Sequence, residues 1–467
     1  MVEQNMEQKQ IERMRGKALL TDLYQLTMNA AYHDNNKDND IATFDLFIRK
    51  LPQDWAYFVA NGIEDAIDYI TNVGFAKDDI DYLREQALFN EDFLTHLQDF
   101  RFNGEVYAVK EGTPVAPNAP IMRVTAKRNQ AQFLETTLLN IINSQTLIAT
   151  KANRVVNAAA PAAVIDFGLR RAQEEDMAMK GARAAYLAGA VGTSNVKAGK
   201  EYGIPIKGTH AHSFVMGFTN ELDAFRAYVK TFPNNPTLLI DTYDTLQGAR
   251  NAVTIAKELN ALGKNLGAVR LDSGDLTELS KQVRKILDEA DLNDVKIIAS
   301  DDLNEFKIAE FKQNEARIDG YGVGTEMITA KPVAAISGVY KLVADNEGGK
   351  IKLAPGKKSF PGKKQIYRIE ENGKYVYDVL ALENENVVGT ALLEKVILDG
   401  ERVRSKPTLN ETREYVAREV AKLPDELRGV KVDKQYAFRV APGLEQLIDT
   451  LTQKYSHRVE RGSQNSN

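Results

Sequence analysis

Residues 268–275 read AVRLDSGD. A short apolar run ends abruptly in charge and glycine, and a helical stripe follows at Leu276, Leu279, Val283, Ile286 and Leu287. Apolar run, polar end and amphipathic helix together are the pattern of a βα unit. Working outward, the same rhythm recurs in AVIDFG (163–168), IPIKGT (204–209), LLIDT (238–242), KIIASDD (296–302) and IDGYGVGT (318–325). Val253, Ala256 and Leu259 form a second stripe. Continuous apolar strands alternating with helices predict a parallel sheet covered on both faces. The run ends carry Asp166, Arg170, Thr209, His212, Asp241, Arg270, Asp272, Asp275, Asp301, Asp302 and Thr325. In a (β/α) barrel the carboxyl ends of the strands form the active face. That favours a barrel over 151–345, although an open doubly wound sheet gives the same sequence pattern.

The flanks have a different texture. Residues 18–150 mix helices and strands. Ala18–Tyr32 reads as a helix start with Thr21 or Asp22 as cap, Ala42–Ile48 alternates like a strand, and 130–156 reads as one long helix. GTPVAPNAP (112–120) is a Gly/Pro-rich connector between two strands. Beyond Gly338 the chain turns basic and strand-like, with a Lys-rich turn, KKSFPGKK (357–364), then helices over Leu409–Leu423 and Pro442–Tyr455. Residues 1–17 read as a flexible polar leader and 460–467 as a disordered tail.

Composition narrows the chemistry. The 467 residues are 43% hydrophobic and 27% charged, a globular balance with room for two or three domains. With no cysteine, disulfides, thiolate zinc sites, Cys-ligated clusters and a Cys nucleophile are all excluded. Imidazole chemistry rests on five residues: His33, His96, His210, His212 and His457. A net charge of −5 gives no global basic field for nucleic acid. No apolar run approaches the roughly 18 residues of a membrane span, and the charged N-terminus lacks a signal core. A soluble, cytoplasmic protein is the expectation.

Four clusters could carry chemistry. In AVRLDSGD, Arg270 leaves a buried strand and needs a partner, while Asp272 and Asp275 flank the Ser273-Gly274 turn and could hold a divalent ion or a ribose. Asp275 serves equally well as a helix N-cap. In GYGVGTEM (320–327), Gly322 and Gly324 before Thr325 let the backbone approach an anion; a tight turn would look the same. In KGTHAHSFV (207–215), His210 and His212 share one face if the segment is a strand. They could serve as a base, a phosphoryl acceptor or core histidines; a closed zinc site lacks a third ligand. In DFGLRRAQ (166–173), Phe167 could stack on a planar ring, and Arg170 and Arg171 could clamp phosphate or carboxylate.

TDLYQLTM (21–28), FDLFIRKLP (44–52), DFGLRRAQ, GTHAHSFV, LLIDTYDT (238–245), VRLDSGDL (269–276), YGVGTEM (321–327) and GVYKLV (338–343) occur in this order. Together they resemble the nicotinate phosphoribosyltransferases, over about residues 20–370. The resemblance implies an irregular TIM-like (β/α) barrel and an α+β open-faced sandwich built from N-terminal (18–150) and C-terminal (346–459) segments. It implies transfer of phosphoribosyl from 5-phosphoribosyl 1-pyrophosphate to nicotinate, coupled to ATP through a phosphohistidine at His212. Tyr24, Thr209 and Arg270 match residues that contact nicotinate, Phe167 one that stacks on the pyridine ring, Arg170 one on product phosphate, and Thr325 one on phosphoribosyl pyrophosphate. Ser273, Gly274, Gly322, Gly324 and Lys341 are placed near the phosphates, as are the 357–364 lysines. Mg²⁺ is the implied cofactor, with Asp272 and Asp275 as candidate ligands and catalytic acids. Homodimers with shared active sites are implied, Tyr24 reaching across.

The chemistry suits these residues. Transfer at C1 of ribose builds positive charge on the sugar and negative charge on leaving pyrophosphate. The ring nitrogen of nicotinate is already a nucleophile and needs positioning. Nicotinamide-using relatives carry an Asp directly after the Gly-Thr; His210 stands there instead, which favours the acid. Three alternatives remain: a nicotinamide-type transferase, another Mg²⁺-dependent barrel enzyme acting on a sugar phosphate, and a non-catalytic sugar-phosphate sensor.

Overall fold

The computed structural model describes residues 17–354 and 359–464, which fall into two units. Most of the leader, Lys357 and Lys358 of the Lys-rich turn, and 465–467 of the tail lie outside the described residues. One unit comprises the chain up to Thr146, Ala335–Leu427 and the segment from Asp433 onward; the other is Leu147–Ala334 with Arg428–Val432.

The second unit is built on a five-stranded parallel sheet. Its strands are β1 (Ala163–Asp166), β2 (Thr237–Leu239), β3 (Ala268–Leu271), β4 (Lys296–Ala299) and β5 (Gly320–Val323). The order across the sheet is β1-β5-β4-β3-β2, so the last strand pairs back onto the first. Beyond β1, parallel bridges link Asp166 to Thr193 and Thr193 to Ile206. The run IPIKGT therefore contributes a single bridge and not a full strand. Pro205 has no N–H to offer a ladder, and the chain turns into a short helix, His212–Met216, soon afterwards.

The loops after β2, β3 and β4 each end on a side chain that caps the next helix. Asp244 accepts the Gln247 N–H before Thr245–Asn260, Asp275 that of Glu278 before Leu276–Asp288, and Asn304 those of Phe306 and Lys307 before Glu305–Gln313. The stripes bury in part: Ala256 and Leu259 are buried with Val253 half-buried on one helix, and Leu276, Val283 and Leu287 are buried with Leu279 and Ile286 half-buried on the next. Beneath this shell Glu305 is buried between Lys151 Nζ at 2.5 Å and Arg154 Nε at 3.1 Å. Removing Glu305 would leave two buried cations without this partner, a cost of several kcal/mol.

The long helix expected over 130–156 is two helices, Arg128–Phe133 and Glu135–Ala159. In the first unit a seven-stranded antiparallel sheet interleaves early and late segments. Its strand Ile41–Ile48 lies between Gly338–Asp345 and Pro120–Lys127. A four-stranded sheet is formed by Thr390–Ala391, Lys364–Glu371, Lys374–Leu382 and Phe438–Val440. Lys364 corrects one expectation. Its Nζ is buried 2.9 Å from Asp45 Oδ2 and donates to the Phe360 and Gly362 carbonyls, so it is committed to this core and not to a phosphate. The last helix, expected to stop at Tyr455, continues to Gln464. Among the described residues no helix is long and apolar enough to cross a membrane.

Candidate active site at the carboxyl ends of the parallel strands

Arg270 is the third residue of β3, and burial holds its guanidinium below the usual arginine range, with Asp272 and Asp241 opposing that shift. Its Nη1 donates to Thr209 Oγ1 at 2.5 Å, and the Thr209 hydroxyl in turn donates to the His210 carbonyl at 3.1 Å. The guanidinium lies 5.9 Å from the centre of the Phe167 ring. Its Nε is buried with no hydrogen-bond partner among the described residues. A buried cation beside an aromatic face suits a planar anionic ring.

Phe167 follows β1 directly. A Cβ on Gly322 would come within 2.4 Å of its ring. The glycine of β5 therefore makes room for that ring. Gly324 passes close to the Phe167 backbone, where an added Cβ would stand 3.2 Å from its carbonyl oxygen. Asp166, just before it, is buried and holds the turn by accepting the Thr193 hydroxyl at 2.7 Å and the Gly168 N–H at 2.8 Å. Burial raises its pKa, against those two hydrogen bonds.

Asp272 is the hub on the other side. Its Oδ2 lies 3.7 Å from both His212 Nε2 and Arg270 Nη2, and its Oδ1 accepts the Ser300 hydroxyl. Its backbone N–H donates to Asp241 Oδ2 at 2.9 Å, as does the Ser273 hydroxyl at 2.6 Å. Asp241 Oδ1 is buried and has no hydrogen-bond partner among the described residues. His212 Nδ1 lies 3.1 Å from Thr242 Oγ1. Asp301 and Asp302, after β4, hold φ values of 108° and 39°, a strained backbone of the kind that clusters at functional sites.

The structure thus brings Phe167, Thr209, Arg270, Asp272, His212 and Ser273 into one connected cluster. Gly274 forms the adjoining turn at φ 82°. Asp275 is engaged as an N-cap, the second of its two readings. Arg170 sits on the exposed turn Leu169–Arg171, close enough to Arg270 to depress its pKa. Thr325 opens the short helix Thr325–Ile328. Tyr24 and Lys341 belong to the other unit, Lys341 lying opposite Asp45 in its antiparallel sheet. Asp241, Thr242 and Ser300 join the cluster without having been assigned a role; the strand-end position of Asp241 was the available signal.

His210 departs from expectation. The two histidines do not share a face, because the segment between them is not a strand: Ala211 is the N-cap of the short helix that His212 begins. His212 faces Asp272, whereas His210 is buried among Phe214, Phe225 and Tyr228, its Nε2 accepting the Leu239 N–H at 3.2 Å. Burial pushes its pKa down to about 4, and nearby Arg270 and His212 add to that. An unfolded histidine titrates near 6.5, so its stabilising contribution is complete above about pH 6.5 and is lost as pH falls through about 4, up to about 3 kcal/mol. Thermal unfolding between pH 7 and pH 4 is expected to show this loss, and His210→Gln to flatten it. Identical pH profiles for the two proteins would refute the assignment.

A buried arginine beside an aromatic ring, with a hub of acids at the carboxyl ends of parallel strands, suits a planar anionic ligand. Comparison with known proteins is specific. Three family models match in order: the nicotinate phosphoribosyltransferase (NAPRTase) N-terminal domain at 19–143, the nicotinate phosphoribosyltransferase (NAPRTase) family at 162–358 and the nicotinate phosphoribosyltransferase C-terminal domain at 386–448. Nicotinate phosphoribosyltransferase pncB2 of Mycobacterium tuberculosis is 43% identical over 425 residues, 91% of each chain. Nicotinate phosphoribosyltransferase of Bacillus subtilis is 45% identical over 79% of this chain and 77% of its own. The crystal structure of human nicotinic acid phosphoribosyltransferase superposes with a TM-score of 0.82 at 27% identity, covering 92% of this chain and 99% of the human one. The chain belongs to the nicotinate phosphoribosyltransferase family.

Proposed function

We propose that this chain transfers phosphoribosyl from 5-phosphoribosyl 1-pyrophosphate to nicotinate, giving nicotinate mononucleotide and pyrophosphate for NAD synthesis. The observation that carries this reading is the buried Arg270, held by Thr209 beside the Phe167 ring. The guanidinium pairs with the nicotinate carboxylate and Phe167 lies against the pyridine face. The ring nitrogen then attacks C1 of ribose as the bond to pyrophosphate breaks, so the chain's main task is orientation. Arg170, Ser273, Gly274 and Thr325 are the nearest groups for sugar and phosphate oxygens. Gly322 and Gly324 serve indirectly, by clearing space for Phe167. The reading also includes a homodimer with shared active sites, to which Tyr24 would contribute, and keeps Lys341 as a candidate for the phosphates.

The acids fit Mg²⁺. Asp241 Oδ1 is a buried oxygen without a partner among the described residues, adjacent to Asp272, an all-oxygen donor set. Asp241 and Asp272 would hold the ion, with Asp275 kept as a cap. When bound, Mg²⁺ neutralises charge on the leaving pyrophosphate. ATP coupling through phosphorylation of His212 is part of the same reading, as is a cytoplasmic location. We also read the second unit as an irregular TIM-like barrel. Its support is the return of β5 onto β1 and the reach of His210, just beyond the Ile206 bridge, to the β2 backbone.

The test is direct. Incubation with nicotinate, phosphoribosyl pyrophosphate, Mg²⁺ and ATP is expected to yield nicotinate mononucleotide, resolved by chromatography. Binding of the sugar phosphate without product would leave the sensor reading in its place.

A further inference from the structure

Two of the five histidines, His33 and His96, belong to the first unit and have no part in the chemistry above. His33 lies in the last turn of the helix Leu23–Asp34, and His96 in the last turn of Glu91–Gln98. Asp38 lies on the connection from the first helix to the strand Ile41–Ile48. His33 Nδ1, Asp38 Oδ2 and His96 Nε2 all fall within 4.8 Å of one another, with Asp38 Oδ2 3.5 Å from the first and 3.9 Å from the last. Donors on a tetrahedral ion with bonds of about 2.0–2.1 Å stand roughly 3.3 Å apart. Binding therefore requires the three side chains to close in on the ion.

The surroundings aim these atoms inward. His33 Nε2 lies 2.8 Å from Asp92 Oδ2. When a carboxylate accepts the N–H of one nitrogen of a neutral imidazole, the other nitrogen carries the lone pair, the usual outer-shell arrangement of a metal-bound histidine. The Asn129 side-chain amide donates to His96 Nε2 at 2.9 Å, which makes that nitrogen the unprotonated one; an ion would take the place of Asn129 on its lone pair. The Asp38 carbonyl accepts the Asn129 N–H at 3.2 Å, which fixes the loop. The Asp38 side chain is only 6% exposed, while the two imidazoles keep 20% and 32%, so an ion can reach the site from solvent.

We propose that His33, Asp38 and His96 bind a single Zn²⁺ ion, with Asp92 orienting His33 and water filling the fourth position. Two imidazoles and one carboxylate suit Zn²⁺, whereas Mg²⁺ and Ca²⁺ favour oxygen-only sets and Cu(I) favours sulfur. The ion ties the end of the helix that begins beside Tyr24 to the end of Glu91–Gln98. It is separate from the Mg²⁺-dependent transfer.

The experiment uses the full chain without an oligohistidine tag, stripped with chelator and titrated with Zn²⁺ by calorimetry in excess Mg²⁺. One ion per chain is expected, with a rise in the thermal midpoint. Substitution by Co²⁺ should give the visible bands of a tetrahedral site. His96→Gln should abolish the binding, while His212→Ala should retain it. Asp92→Ala, at a side chain 87% exposed and therefore harmless to folding, should weaken binding roughly tenfold. Absence of binding by the wild-type chain overturns the proposal. So does binding that survives in a folded His96→Gln protein, is lost in His212→Ala, or is unchanged in Asp92→Ala.

Discussion

His212→Ala is expected to remove all acid-labile label that terminally labelled ATP leaves on the chain, and to lower ATP-driven turnover roughly 10²-fold. The geometry assigns the two ring nitrogens different tasks. Nδ1, 3.1 Å from Thr242 Oγ1, can donate to that hydroxyl and fix the ring, leaving Nε2 with its lone pair at the half-exposed mouth of the site. On the proposed phosphohistidine route, attack by Nε2 on the terminal phosphorus would release ADP. The transferred group then stands beside Asp272, whose Oδ2 is 3.7 Å from that nitrogen. Like charges so close make the phosphohistidine easy to discharge, and Arg270 on the far side of Asp272 links that charge to the nicotinate subsite. Thr242→Val should slow labelling without abolishing it, since it frees the ring but keeps the nucleophile. Label that persists in His212→Ala would move the role to another side chain. His210 is poorly placed to take it, because its Nε2 is committed to the Leu239 N–H and the ring is buried.

Much of this site was legible because strand ends announce themselves. AVRL and AVID are apolar up to Arg270 and Asp166, charged residues buried at the carboxyl end of the sheet, and the polar side chains that follow are either caps or part of the site. Asp275 shows that the two cannot be separated by spacing: the same i, i+3 pair of acids gave one hub, Asp272, and one cap. The His-x-His motif failed for a related reason. Its shared face depended on a strand, and Ala211 instead caps a helix, so the two rings diverge. The glycines of GYGVGT were read as room for an anion, whereas Gly322 makes room for Phe167, a contact between residues far apart in sequence. Long-range pairings of this kind leave no periodic trace. The same holds for Lys364 with Asp45 and for Glu305 with Lys151, and it hides His33 from His96 as well. The cap role of Asp275 was readable because its partner Glu278 lies three residues on, whereas Asp22 precedes its helix but makes no side-chain cap bond.

Arg270→Ala is expected to raise the KM for nicotinate and lower kcat/KM about 10²–10³-fold, roughly 3–4 kcal/mol, with a much smaller effect on nicotinamide. The guanidinium is costly to bury, and the structure compensates it incompletely. Thr209 satisfies one nitrogen, Asp272 stands 3.7 Å away and not in close contact, and Nε has no partner among the described residues. A carboxylate arriving against the Phe167 ring supplies the missing charge, and a neutral amide does not. Arg270→Lys should rescue little, because an ammonium cannot make two parallel hydrogen bonds to a carboxylate while holding Thr209. The decisive measurement is the ratio of kcat/KM for nicotinate and nicotinamide in each variant, with thermal unfolding to confirm an intact fold. If Arg270→Ala lowers both substrates equally, the arginine acts on the phosphoribosyl end and the carboxylate must be sought elsewhere. If the ratio collapses while the fold holds, selectivity for the acid resides in one buried cation that the sheet leaves only partly paired.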